Sequence, residues 1–460
     1  MGDAVRSLRR AKEALGVAAA LFATGCLGRS MLWIEDGGRT CAAQFGSVCV
    51  DATFGADGLF ALDLGAADNV DWSCQGMDLQ PDGRIVFGGM SAPAAGGALG
   101  VIRLDVDGHL DPSFAAAGVA LVHLDAGSDV TKVVRVLDGG RILLAGARTA
   151  VAGTPITTGL ARLLPSGALD PAFGTAGIEL IDAGAGADID IANGALGLAN
   201  GGLRLAGQQR LPPSPTLNLF VRGLLAQGAP DPSFGAAGAV SIDWFGGDEF
   251  GGCVAEGPGG TLLVPGTALH DPHGFDFAVA RLLAHGALDP SFIDANALPG
   301  RVATDFYDGD DFCAVVIVQA GGKIVCGGYA TGPAGRHSAL VRYLPSGALD
   351  PSFGDGGKLV VAMGADDEVL TLVSLRDGRL VSGGSARNAR GDRDFAIAVL
   401  SQDGVLDASF GSGGKALLDL SAGRDDGIYA LALDALGRLV AFGQTSNGAN
   451  NDFAVLRLLL

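Results

Sequence analysis

Little in this sequence is charged, aromatic or suited to binding a metal. Only 18% of the 460 residues are charged and 6% are aromatic, with 6 histidines and 7 cysteines. Scarce charge beside 48% hydrophobic residues excludes a disordered chain, which needs the opposite balance. No Cys-x-x-Cys pair or Cys/His spacing suggests structural zinc. A G-x-S-x-G nucleophile elbow, an H-E-x-x-H helix and a phosphate-binding glycine loop are all missing. No enzyme class is signalled by a motif. Basic residues are few as well, 31 against 50 acidic ones for a net charge of −19, which excludes duplex nucleic acid and anionic membrane surfaces as natural partners. Cations, metal ions and basic protein surfaces suit that charge better.

Long apolar runs are also lacking, apart from one at the start. Arg6, Arg9, Arg10 and Lys12 precede ALGVAAALFATG (14–25), and Cys26 follows. The run is short for a membrane span and has the length of a signal-peptide core. FATGC resembles a bacterial lipobox, in which the cysteine is lipidated and becomes the new N-terminus, although Ala23 stands where Leu is usual. Residues 1–25 are therefore expected to be a cleaved leader and Cys26 a lipid anchor. Cleavage removes four basic and two acidic residues and leaves a charge of −21. The expected address is the cell envelope, outer membrane or periplasm, or the exterior if cleavage is of the ordinary kind. Six cysteines then remain, an even number suited to an oxidising compartment. Cys41 and Cys49, in a linker over 26–49, form the best candidate disulfide. The pairing of Cys74, Cys253, Cys313 and Cys326 stays open.

What is abundant is glycine, 75 residues, and it recurs in register. A short box appears as VDATFG (50–55), LDPSFA (110–115), LDPAFG (169–174), PDPSFG (230–235), LDPSFI (288–293), LDPSFG (349–354) and LDASFG (406–411). Its phenylalanines, from Phe54 to Phe410, stand 60, 59, 61, 58, 61 and 57 residues apart. After each box come a first apolar strand, an acidic turn and a second strand such as CAVVIVQ (313–319). A glycine-rich turn then leads to a third strand, as in RDGRLVSGG (376–384), and a variable loop to a fourth, as in FDFAVARLL (275–283). Asp-Gly and Gly-Gly between apolar runs are strong hairpin signals. Four short antiparallel strands in a repeat of about sixty residues make one propeller blade. The expected fold is all-β, a seven-bladed β-propeller over 50–460 with four-stranded antiparallel blades. If the first strand of each copy is the outer edge of the preceding blade, 58–64 pairs with 453–459 and latches the ring.

The Phe box, the DG-[RK]-[IL]-V-x-x-G hairpin and the DFAVARL-type strand, recurring in fixed order, resemble the delta-60 repeat family over about residues 50–460. That resemblance implies a bacterial, exported propeller common in lipoproteins and surface proteins. It implies no catalytic activity and no active-site residues. Ala115 and Ile293 depart from the box glycine, and Leu203 and Thr261 from the basic residue of the hairpin.

Asp68, Asp129, Asp188, Asp248, Asp310, Asp366 and Asp425 take comparable places in the acidic turns. On one face of a ring they are candidate ligands for a hard cation such as calcium, or each bonds the amides of its own turn. The box aspartates and fourth-strand arginines, eight residues apart at 103/111, 162/170, 281/289 and 342/350, read as architectural ties. Function is expected where copies differ, in the loops between third and fourth strands. His270, Asp271 and His273 form the one local His/Asp cluster there. Arg-Gly-Asp at 390–392 is a match expected by chance. Trp244 and Tyr307 are candidate exposed aromatics. The leading expectation is a non-enzymatic binding or scaffold propeller at the cell envelope, holding a protein or glycan through one face. The alternatives are a hydrolase or lyase with its site at the channel mouth and a calcium-stabilised structural module. An enzyme requires unrepeated His, Glu or Arg residues gathered on one face. A monomer is expected, with membrane contact through the lipid anchor alone.

Overall fold

The computed structural model describes residues 33–36, 39–42, 48–64, 75–91, 97–124, 128–149, 155–181 and 189–460. The leader, Cys26, Cys74, Asp68 and Asp188 lie outside the described residues. Among the described residues the elements are strands and three-residue 3-10 turns, and no helix is long and apolar enough to cross a membrane.

Trp33–Asp36 and Arg39–Ala42 form a two-stranded antiparallel pair, and the strands after them come in groups of four. Met77–Leu79, Ile85–Ser91, Ala98–Leu104 and Val119–Val122 pair in that order, each antiparallel to the next. The order recurs from Ser128–Val136 to Ile178–Leu180, from Ile189–Gly197 to Ala239–Ile242, from Phe312–Val318 to Lys358–Val361 and from Asp367–Ser374 to Lys415–Leu418. The fourth group in the chain divides its first position between Glu249–Gly251 and Ala255–Glu256 and continues with Leu262–Leu269, Phe275–Leu282 and Arg301–Thr304. The last group has three strands of its own, Asp426–Leu433, Leu439–Ser446 and Asn451–Leu458, and takes its fourth from the other end of the chain. Leu59–Leu62 pairs antiparallel with Asn451–Leu458, with Leu59 opposite Leu456 and Leu62 opposite Phe453. Each strand that follows a Phe box is thus the outer member of the group before it.

Burial explains which residues form which strand. Ala98–Leu104 is buried at every position, because apolar surface covers both its faces. Val119–Val122 alternates between buried and exposed, as an outer strand with one packed face should. The cores lie between consecutive groups. Val86, Leu99 and Val101 of the first group pack with Val134, Ile142 and Leu144 of the second. Ile85, Phe87 and Ile102 of the first pack with Val440, Phe442 and Val455 of the last, together with Phe54 and Leu62. A single group cannot bury two apolar faces by itself; neighbours on both sides do so.

The Phe box makes the crossing between groups. Phe54, Phe114, Phe173, Phe234, Phe292 and Phe353 are fully buried. An arginine guanidinium lies 4.4–4.8 Å over each ring: Arg457, Arg103, Arg162, Arg204, Arg281 and Arg342 respectively. The same arginines pair with the box aspartates, as at Arg103–Asp111 (2.9 Å) and Arg162–Asp170 (2.8 Å). In the third group the usual arginine position holds Gly223, and Arg204 on the neighbouring strand takes over, 3.2 Å from Asp231. A Cβ on Gly223 would stand 2.7 Å from Phe234, so glycine there makes room for the exchange. In the sixth group Val399 replaces the arginine and Asp407 pairs with Arg379 instead, at 2.8 Å. The box glycine turns the chain through left-handed backbone. At Gly354 φ is +53° and a Cβ would meet Lys358 O. Ala115 accepts the same region at φ +42°.

Cys41 and Cys49 are disulfide-bonded, with Cα atoms 4.9 Å apart. Cys313 and Cys326 are bonded too, with Cα atoms 6.2 Å apart. Their register explains why no direct pairing is visible from spacing. Cys313 faces Gly328 and Cys326 faces Val316, with a bulge between Cys313 and Val315. The two cysteines are diagonal neighbours on one face of the hairpin, within side-chain reach. Cys253 is disulfide-bonded as well.

Candidate active site

The acidic turns and the loops between the second and third strands of each group lie side by side, because hydrogen bonds join them. Asp248 Oδ1 accepts Leu217 N at 2.8 Å, Asp310 Oδ1 accepts Phe275 N at 3.3 Å and Asp425 Oδ1 accepts Arg393 N at 2.8 Å. Each of these turns therefore caps a loop of the group before it. Asp129 is fully buried and accepts Leu124 N at 2.9 Å. Asp366 is held by Arg336 Nε at 2.7 Å and Arg393 Nη2 at 2.6 Å. Among the described residues, none of these five shares a cluster of three potential ligands.

In the turns of Asp248, Asp310, Asp366 and Asp425 the buried acid is the following residue, which spacing did not single out. Trp244 N donates to Glu249 at 3.2 Å, Phe306 N to Asp311 at 2.7 Å and Leu420 N to Asp426 at 2.7 Å. Met363 N and Gly364 N donate to Asp367 at 3.1 and 3.2 Å. These carboxyls staple their turns from inside. Burial pushes Glu249 up to about 8, Asp311 to about 7 and Asp426 to about 6. A carboxyl raised on folding adds stability that is complete below its unfolded value and lost as pH climbs through its folded one. The melting temperature should therefore fall by several degrees between about pH 5 and about pH 9. Glu249→Gln should flatten that slope in a series of melts; an equal slope in the variant would show that Glu249 titrates normally.

Where the copies differ, side chains of another kind gather. Three positions matter: the residue after the buried acid, its partner on the second strand, and the entry of the third. In the fourth group they are Phe250, Thr267 and Phe275, the two rings 5.5 Å apart edge to face. In the fifth they are Phe312, Tyr329 and Arg336. The rings of Phe312 and Tyr329 stack at 5.6 Å, and the guanidinium of Arg336 lies 4.6 Å over Tyr329. In the sixth they are Glu368, Ser385 and Arg393, with Ser385 Oγ donating to Glu368 Oε1 at 2.9 Å and Arg393 Nη1 to Ser385 Oγ at 2.7 Å. In the seventh they are Gly427, Gln444 and Asn451, the two amides bonded at 3.2 Å.

The fifth and sixth groups meet at Glu368. Arg393 Nη1 stands 3.4 Å from its Oε1 and Arg336 Nη1 3.5 Å from its Oε2. Oε2 is buried and accepts no hydrogen bond. Burial raises the Tyr329 phenol above its ordinary value, against the opposing effect of Arg336, so it stays protonated at neutral pH. On the far side of the same strand, His337 Nδ1 lies 2.9 Å from Asp367 Oδ2. The arrangement offers a buried carboxylate with one oxygen that accepts no hydrogen bond, a neutral acid and two cations within one patch. That set suits proton transfer on an anionic or polar substrate.

The other expected residues fall nearby but do different work. His270 Nδ1 meets Asp276 Oδ2 at 3.0 Å and stacks on Phe245 at 4.0 Å. His273 Nδ1 meets Asp308 Oδ1 at 2.9 Å. The two histidines thus use Asp276 and Asp308, and not Asp271, as their carboxylate partners. Tyr307 is 50% exposed, but Trp244 is only 4% exposed and donates Nε1 to Val302 O at 3.2 Å. Trp244 is a core residue, and its expected place on a binding surface is corrected. The arginine and aspartate of Arg-Gly-Asp turn towards each other, Arg390 Nη2 lying 3.3 Å from Asp392 Oδ2.

Four segments, 80–114, 140–173, 319–353 and 375–410, match a family model described as a domain of unknown function (DUF5122) beta-propeller. The last residue of each segment is the phenylalanine of a box. The chain is built of β-propeller repeats. Among solved structures it is similar to the polysaccharide lyase Uly1, at 9% identity over 88% of this chain and 93% of that one, with a TM-score of 0.47. It is also similar to a glucose dehydrogenase, at 14% identity over 86% and 98%, TM-score 0.40. A sialidase of Trypanosoma rangeli matches at 10% identity over 75% and 57%, TM-score 0.39. No curated protein matches the chain. At such identities the likeness concerns architecture alone. The expectation of a non-enzymatic scaffold is nonetheless corrected. It took the lack of a catalytic motif as its ground, and the carboxylate, phenol and arginines gathered around Glu368 make an acid–base set that no motif signals.

Proposed function

We propose that the chain is a glycan-cleaving enzyme, a hydrolase or a lyase, on a seven-bladed propeller whose site lies at the loop-side mouth between the fifth and sixth blades. One observation carries the reading: the buried Glu368 keeps an oxygen without a hydrogen bond between Arg336 and Arg393, beside the protonated Tyr329. These residues are unrepeated, as an active site on a repeat scaffold requires. The half-buried rings of Phe250, Phe275 and Phe312, at the corresponding strand ends of the fourth and fifth groups, add apolar surface suited to packing against a sugar.

Glu368 is the group that moves a proton. In hydrolysis it takes one from water, whose oxygen bonds to the anomeric carbon as the glycosidic C–O bond breaks; Tyr329 protonates the leaving oxygen. In elimination Glu368 takes the proton beside a uronate carboxyl, a carbon–carbon double bond forms, and Tyr329 again protonates the leaving oxygen. Arg336 and Arg393 balance the negative charge in either case. Closure as a ring is supported by the pairing of Leu59–Leu62 with the last group and by the core shared between last and first groups. The delta-60 assignment, export and a lipid on Cys26 complete the reading, and the disulfides suit an oxidising compartment.

The test is a screen of the purified protein against neutral and acidic polysaccharides, following reducing ends and the ultraviolet absorbance of unsaturated products. Absorbance together with new ends marks a lyase; new ends alone mark a hydrolase. Glu368→Gln should lower turnover by about 10²–10⁴-fold with an unchanged melting temperature. Full activity in that variant, or no cleavage of any glycan, would sink the proposal.

A further inference from the structure

The sixth group carries a second cluster on the same face. Its loop over 388–392, the entry of Arg393–Leu400 and the turn after Lys415–Leu418 bring three carboxylates together. One oxygen of each of Asp392, Asp394 and Asp419 lies within 4.8 Å of the others. Asn388 Nδ2 bonds Asp392 Oδ2 at 2.8 Å and Asp394 Oδ2 at 2.9 Å, so one amide holds two carboxylates side by side. Gly423 N fixes the third by donating to Asp419 Oδ1 at 3.1 Å.

The cluster is not satisfied by the protein. Asp394 is 4% exposed, and its Oδ1 is buried with no hydrogen bond. Leaving a buried acceptor unpaired is costly, and three carboxylates at this separation repel one another. Arg390 answers part of the charge. Its Nη2 stands 2.6 Å from Asp419 and 3.3 Å from Asp392, but its side chain is 59% exposed and free to swing outward. Asp394 Oδ1 is left over.

We infer that Asp392, Asp394 and Asp419 form a calcium site, and that Arg390 is a displaceable counter-ion occupying it when the metal is low. Oxygen-only ligands select a hard cation over zinc. Three carboxylates on a loop, a strand entry and a turn, with the exposed Arg390 on one side, leave room for the waters that complete six to eight ligands. The near-octahedral geometry that magnesium demands is not built into segments of this kind. The inference is independent of the catalytic reading, whose residues it does not use.

The experiment is calorimetric titration of calcium chloride into the full chain after treatment with chelator. One site is expected, with a dissociation constant of about 10⁻⁴–10⁻³ M, as in extracellular modules. Asp394→Asn and Asp419→Asn should each weaken binding by at least about tenfold. Arg390→Gln should tighten it severalfold, because the competitor for two ligand oxygens is gone. Asp419 is partly exposed, so Asp419→Asn separates lost binding from lost folding once its chelator-treated melt matches the wild type. No calcium binding by the wild type, binding that survives Asp419→Asn, or weaker binding by Arg390→Gln would each overturn the site.

Discussion

A chain from which residues 50–64 have been deleted should lose cooperative thermal unfolding and associate with itself. Leu59–Leu62 supplies the outer strand of the last group. Upstream of it, Asp51 N donates to Arg457 O at 2.8 Å and the Asp51 carboxylate pairs with Arg457 Nε, also at 2.8 Å. The two partners are 406 residues apart. Phe54 is fully buried beneath the same guanidinium. Deletion therefore strips three things together: a strand, an aromatic anchor and the partner of a charge that is 2% exposed. Breaking such a buried pair alone costs about 3–5 kcal/mol, a large part of the roughly 5–15 kcal/mol that holds most domains. The bare edge of Asn451–Leu458 would then invite pairing with other chains. Sedimentation and a thermal melt read both effects, and a synthetic peptide of residues 50–64 should restore the monomer. A deleted chain that melts like the full one would show that the fold does not depend on this pairing.

The strand order and the latch were legible because they follow from periodicity. Apolar runs at fixed distances from each Phe box set the strands, and the box spacing sets the phase. What escaped was anything decided by a single exchange, and the ion pair that joins the two ends. Arg457 finds its aspartate not eight residues on but 406 residues back, in the first box. Arg204 is invisible to an eight-residue rule because it stands one strand away from the place that Gly223 vacates. In the acidic turns, both residues of Asp248-Glu249, Asp310-Asp311 and Asp425-Asp426 are acidic. Composition could not tell which one alternation turns inward, and the inward one proved to be the second. Glu368, Tyr329 and Arg336 were missed because they sit at the ends of strands, outside the loops expected to vary; Arg393 closes one of those loops, over 385–394, but nothing in the sequence set it apart there. The available signal was comparison of the copies at that register, where Phe250, Phe312, Glu368 and Gly427 already differ in charge, size and shape. The cysteine pair at 313 and 326 depended on a bulge that no spacing rule reveals.

Asp350→Ala should destabilise the protein by about 3–5 kcal/mol, as much as any single substitution in the scaffold. Arg342 is 1% exposed, with Nε 2.9 Å from Asp350 Oδ2 and the guanidinium 4.8 Å from the centre of the Phe353 ring. Without the carboxylate, its charge would be left buried with only Asp403, itself half-exposed, at 2.9 Å. Burial would raise the Asp350 carboxyl, but Lys323, Ser352 and Arg342 outweigh it and hold it well below the usual range. A carboxyl depressed on folding adds stability that is present above its unfolded value and lost as pH falls through its folded one. The wild type should thus weaken steeply in acid below about pH 4, while Asp350→Ala, already without that contribution, should show a shallower acid limb. The double variant Asp350→Leu with Arg342→Met separates charge from packing, because replacing both members of a buried pair leaves no orphan. It should recover most of the loss in a urea melt. If the double variant is no more stable than Asp350→Ala, the tie works through shape and not through paired charge. The arginine repeated above nearly every box phenylalanine would then be chosen for its flat guanidinium stacked on the ring.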